Sequence, residues 1–127
     1  MQPTNRYIIP IGLAVAAVLL VFAYSGGPVA LGAHPWWGFK VAYIGVPIGA
    51  VLFGLQLVWR AGYVAKAGLY ATFLCLAAYL TYRGKIQFAA SYAEDAAAGQ
   101  MWIFGWIAIF ALGFLFLTHL SSRIRAK

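Results

Sequence analysis

Four uninterrupted apolar runs, at about residues 7–24, 41–59, 64–82 and 101–120, constrain this chain more than any other feature. Crossing a hydrocarbon core of about 30 Å takes about 20 mostly apolar residues in a helix, because each residue advances the axis by about 1.5 Å. Every run is of that order. Each is also apolar around its whole circumference, so none offers the polar face that a helix on a soluble domain turns to water. Composition points the same way: 65% of the 127 residues are hydrophobic and 9% are charged, against a usual balance of roughly half apolar and a quarter charged. The sequence therefore predicts an all-α, integral membrane four-helix bundle, with residues 1–127 forming a single transmembrane domain. The first run, with Arg6 ahead of it and small residues at 30–33, also resembles a secretory signal. It is expected to be retained as a helix.

The formal charge of +7 comes from nine Lys and Arg against two acids. In a soluble domain that excess would suggest a nucleic-acid partner, but here the bases flank apolar runs and read as topology signals, so no nucleic acid is expected. With four spans, one side holds Arg6, Arg60, Lys66, Arg123, Arg125 and Lys127, and the other holds Lys40, Arg83 and Lys85. Six against three places both termini in the cytoplasm. Tyr7, Tyr24, Trp36, Trp37, Trp59, Tyr63, Tyr82 and Trp102 fall near the run ends, where amphipathic rings sit at headgroup level. The first loop, 25–39, carries Gly26-Gly27-Pro28 and His34-Pro35-Trp36-Trp37, and reads as irregular chain held at the membrane surface. The link after the second run is very short and predicts an antiparallel hairpin. The third loop, 83–100, contains both acids, Glu94 and Asp95, and its alanine-rich 92–98 stretch favours a short helix or an extension of the third run. Compact, alanine-rich spans with short loops suggest a multi-pass protein of a bacterial inner membrane.

Lipid tails satisfy apolar side chains, so helix association in a bilayer relies on small residues and polar groups. In the second run Gly38, Ala42, Gly45, Gly49 and Gln56 share a face, Gly45 and Gly49 forming a GxxxG, and Pro47 predicts a kink because it cannot donate to the carbonyl of Tyr43. The third run carries a stripe of Gly68, Thr72, Cys75, Tyr79 and Tyr82, expected to pack against other helices; the sharper reading is the lining of a small-molecule or pigment pocket. Gly105, Ala108, Leu112, Leu115 and His119 form a seam on the fourth run, and Gly12, Ala16, Leu19 and Ala23 form one on the first. Outside these seams stand Phe104, Trp106, Phe110, Phe114 and Phe116, expected to meet lipid. A neighbouring subunit, or a flat cofactor such as a quinone, carotenoid or chlorophyll-type pigment, is the alternative occupant of that surface.

No run holds an Asp, Glu, Lys or Arg in its interior, which argues against a proton relay or a proton-coupled exporter, and no filter-like run or ring of charge suggests a pore. The intramembrane Glu of small multidrug exporters and the paired cysteines of quinone-linked thiol oxidases are both absent. His34 and His119 are the only histidines and are expected on opposite sides, so one chain cannot clamp a haem between them. Each remains a candidate for ligating a cofactor singly, beside the plainer reading of an interfacial hydrogen bond. Glu94 and Asp95 with His34 are the one set of metal-ligand types, but adjacent carboxylates read more simply as solvated charges and no metal site is expected. Cys75 has no activating base near it and reads as a small buried residue. Nucleophile motifs and phosphate loops are missing. The leading expectation is a non-catalytic accessory subunit of a larger, energy-converting inner-membrane complex, meeting lipid, pigment and other integral subunits through Gly45, Gly49, Thr72, Cys75, Tyr79, Trp106 and Phe110. A small homo-oligomeric transporter or flippase, and a membrane redox or enzyme anchor, are the alternatives.

Overall fold

The computed structural model describes residues 6–124, and among them the chain is all-helical, with no strand. Expectations resting on Arg125 and Lys127 lie outside the described residues. The helices are α1 (Ile8–Tyr24), the single turn α2 (Gly27–Ala30), α3 (Lys40–Gln56), α4 (Tyr63–Ala90) and α5 (Ala96–Ile124). Helices α4 and α5 are long and apolar enough to cross a membrane, and α1 and α3 are apolar helices of 17 residues.

Local chemistry explains the boundaries. Gly26, at φ 90°, takes the left-handed conformation that ends α1, and Pro28 then sits at the start of α2, where its missing N–H costs nothing. Helix α3 continues through Pro47 as one element. Helix α4 runs past the expected end of the third apolar run, through Arg83 and Lys85 to Ala90, so most of the third loop is helix. The chain reverses within residues 91–95, where Tyr92 (φ 56°) and Ala93 (φ 65°) are both left-handed although neither is glycine. The Ala93 N–H donates to the Phe88 carbonyl at 3.1 Å, closing the end of α4. Asp95 then caps α5: its carboxylate accepts from the Ala98 N–H at 3.0 Å, placing negative charge at a helix N-terminus.

Helix α5 is the axis on which the others assemble. Helix α4 lies antiparallel to it, with Tyr63 against His119 at one end and Gly84 against Ala98 and Trp102 at the other. Helix α3 lies parallel to α5, Gly45 beside Phe110 and Gly49 beside Phe114. Helix α1 runs antiparallel, bringing Gly12 to Phe114 and Phe22 to Phe110, and it also touches α3. The core is built mainly from α1, α3 and α5, with Tyr70 of α4 joining it: Ala23, Val41, Ala42, Val46, Phe53, Tyr70, Trp106, Phe110, Phe114 and Leu115 are buried together. Helix α4 makes its extensive contact with α5 and reaches α3 through Gln56.

This arrangement corrects two expectations. The aromatic side of α5 is not an outer surface: Trp106, Phe110 and Phe114 are buried, Phe116 is half-buried, and Phe104 stays exposed. A helix flanked on several sides places its largest side chains where they fill the interhelical space. The Thr72, Cys75 and Tyr79 stripe of α4, in turn, points away from the rest of the chain, and Cys75 is exposed rather than buried. The face of α4 turned inward carries Lys66, Tyr70, Ala77, Thr81 and Gly84 instead.

Candidate functional site

Polar side chains gather where α3 ends, α4 begins and α5 finishes. His119 is 6% exposed, and its Nε2 lies 3.0 Å from the carbonyl oxygen of Tyr63. A carbonyl only accepts, so Nε2 carries the proton and donates, leaving the lone pair of the neutral ring on Nδ1. The same imidazole stacks on the Tyr63 ring at 4.4 Å and meets Tyr70 edge-on at 5.4 Å. Arg123, one turn further along α5, sets its guanidinium 4.4 Å over the Tyr63 ring. From α4, Lys66 donates to the Gln56 carbonyl at 2.9 Å, and the Tyr70 hydroxyl donates to the Gln56 side-chain oxygen at 3.2 Å. A lysine on the last carbonyls of α3 complements the negative end of that helix. Its charged head also lies 5.7 Å from the Trp59 ring centre, and the whole side chain is 9% exposed.

These residues form a clasp that ties three helix ends together. The sequence marked His119 as a cofactor candidate, Gln56 as part of a small-residue face and Lys66 as a topology charge, but did not join them. The one readable sign was spacing: Tyr63, Lys66 and Tyr70 share a side of α4, as His119 and Arg123 share a side of α5.

His34 stands at the opposite end, packed with aromatics. Its ring stacks on Trp37 at 5.9 Å and meets Trp102 edge-on at 5.8 Å, while Trp102 also contacts Phe88 at 5.7 Å. The indole N–H of Trp102 donates to the Gly32 carbonyl at 3.2 Å, anchoring the segment that follows α2 to α5. The backbone N–H of Trp36 donates to His34 Nδ1 at 3.1 Å, so the neutral ring holds its proton on Nε2 and presents a donor rather than a ligating lone pair. Since Trp102 and His119 stand 17 positions apart on α5, the two histidines are separated by roughly 25 Å along its axis. Among the described residues no three His, Cys, Asp or Glu side chains come together as a metal-holding group.

The remaining features lie on α4. Gly68 has nothing within 4 Å of where a Cβ would sit, and the Thr72 hydroxyl donates to its own helix, to the Gly68 carbonyl at 2.8 Å. Beside this stripe an apolar groove of about 330 Å³ runs between α4 and α5, walled by Phe73, Leu76, Leu80 and Phe104 over a floor that includes Gly105 and Ala108. Gly45 and Gly49, the GxxxG of the sequence, are consumed inside the fold by the α3–α5 contact. No protein-family model matches the chain, and neither a curated protein nor a solved structure matches it.

Proposed function

We propose that the chain is a non-catalytic, four-span accessory subunit of a larger bacterial inner-membrane complex, with both termini in the cytoplasm and the outer side of α4 covered by other integral subunits. The observation that carries this reading is the lopsided burial of α4. Its most apolar stretch is 17% buried, against 33% for α5. The outward stripe of Gly68, Thr72, Cys75 and Tyr79 has the small and weakly polar character by which helices associate in lipid, where tails compete equally for apolar groups. Helices α1 and α3, of 17 residues each, extend about 26 Å and reach the interfaces with their flanking aromatic residues. Alternating helix directions and the distribution of Lys and Arg support the topology.

Native mass spectrometry of the protein tagged at its own locus and released in mild detergent tests the subunit reading. The expected result is a defined assembly containing different chains. Release as a monomer would overturn it, and release as a homo-oligomer would favour a small transporter instead.

Cys75 is the only cysteine, exposed midway along α4, and so reports depth without engineering. In intact membranes a hydrophilic maleimide is expected to leave it unmodified, and to react fully once SDS dissolves the bilayer. Rapid labelling in intact membranes would contradict the assignment of α4 as a span.

A further inference from the structure

We propose that the groove between α4 and α5 holds one acyl chain of an anionic phospholipid whose phosphate is bound by Arg83. The proposal rests on the membrane-spanning reading above, and not on the existence of partner subunits.

Three observations converge on a lipid. The first is length. The groove follows α5 from Met101 to Leu112, a rise of about 16 Å, close to half of a hydrocarbon core of about 30 Å. That is the depth of one leaflet. A second helix laid into the groove would run the full thickness, and the groove does not.

The second is the chemistry of its wall and mouth. Phe73, Leu76 and Leu80 line it from α4, and the same stripe, continued by three and then four residues, reaches Arg83 and Gln87. Arg83 is exposed, and among the described residues no carboxylate pairs with it. Its neighbour Lys85 extends its ammonium toward Gly32, two residues past α2, which leaves Arg83 as the cation that continues the groove's α4 stripe. A guanidinium offers phosphate a planar pair of donors, which a point charge cannot. The lining contains no histidine to ligate the metal of a flat pigment.

The third is level. Gly84 packs against Ala98, Met101 and Trp102 of α5, which sets Arg83 at the height where the groove opens. Trp37 and Trp102 meet there at 5.2 Å, and tryptophans of that kind sit in the headgroup layer. Arg83 thus stands at headgroup height with an apolar channel of one leaflet's depth beneath it.

The test uses the full chain in mild detergent, titrated by native mass spectrometry with phosphatidylglycerol and with phosphatidylethanolamine of identical acyl chains. The wild type is expected to retain one phosphatidylglycerol per chain in preference to phosphatidylethanolamine. Arg83→Gln is expected to bring phosphatidylglycerol down about fivefold, the equivalent of about 1 kcal/mol per base beside an anionic surface, and so to erase the preference. Leu76→Trp fills the groove from a side chain that is already 48% exposed. It is expected to abolish retention of both lipids with helix content unchanged by circular dichroism; Phe104→Trp, on the opposite wall, provides the same test should Leu76→Trp lose helix content. Undiminished phosphatidylglycerol binding in the groove-filling variant, an unaltered preference in Arg83→Gln, or a chain dimer that these fillings dissociate would each overturn the proposal. If Cys75 labels freely in intact membranes, the spanning reading fails and the groove proposal with it; if Cys75 is shielded and lipid is not retained, only the groove proposal fails.

Discussion

Gly45→Ala combined with Gly49→Ala is expected to push α3 off α5 and to lower the detergent-denaturation midpoint. A Cβ at Gly45 would lie 2.6 Å from the Ile107 carbonyl oxygen and 2.7 Å from Phe110 Cβ; at Gly49 it would lie 2.5 Å from the Ala111 carbonyl oxygen and 2.8 Å from Phe114 Cβ. These obstacles are main-chain or Cβ atoms, which no rotamer change moves aside, so the helix axes must separate. Separation loosens Val41, Ala42, Val46 and Phe53 against the α5 aromatics. Overpacking of this kind costs about 1–3 kcal/mol per site, and in lipid no hydrophobic force draws the helices back. One displacement relieves both clashes, so the double substitution is expected to cost less than the sum of the two singles. Gly54→Ala is the control: nothing lies within 4 Å of its Cβ position, and removing a helical glycine there should stabilise by up to about 1 kcal/mol. Unfolding in SDS-containing mixed micelles, followed by circular dichroism, measures all four variants. A double variant that unfolds with the wild type would refute the close α3–α5 contact.

The glycine pair also shows what was legible in the sequence. A GxxxG is readable because it states a packing distance in residue types alone, and the structure spends it on α5. Apolar runs gave helix positions to within a few residues at α1 and α3, since length and hydropathy need no knowledge of neighbours. Direction was different. A helix apolar all round carries no moment to say which side faces inward, so the aromatics of α5 read as an outer surface when Trp106, Phe110 and Phe114 in fact fill the core. The α4 stripe could not be placed for the same reason: small residues mark where a helix can be approached, not whether this chain supplies the approach. The tight reversal before α5 was hidden too, because Tyr92 and Ala93 take left-handed angles that sequence normally signals with glycine. The clasp needed three separate helix ends brought together, which no local pattern encodes.

That clasp leads to the second large effect. His119→Ala is expected to destabilise the protein by about 3 kcal/mol, the usual cost of emptying a buried aromatic site, and to do so by freeing the start of α4. The substitution removes the stack on Tyr63, the edge contact with Tyr70 and the hydrogen bond to the Tyr63 carbonyl, and leaves a void where a 6%-exposed ring stood. Helix α1 and helix α3 hold each other as well as α5, whereas α4 leans on α5 along one side and has the clasp as its second attachment. Amide exchange in detergent is therefore expected to rise over residues 63–70 while the α3 and α5 cores keep their protection, an opening of one segment rather than of the fold. His119→Phe separates the contributions: it keeps both ring contacts, loses the donated hydrogen bond, and should cost about 1 kcal/mol. If His119→Ala speeds exchange in α3 as much as in α4, the clasp is not what holds α4. If it leaves exchange unchanged, the imidazole contributes no attachment at all.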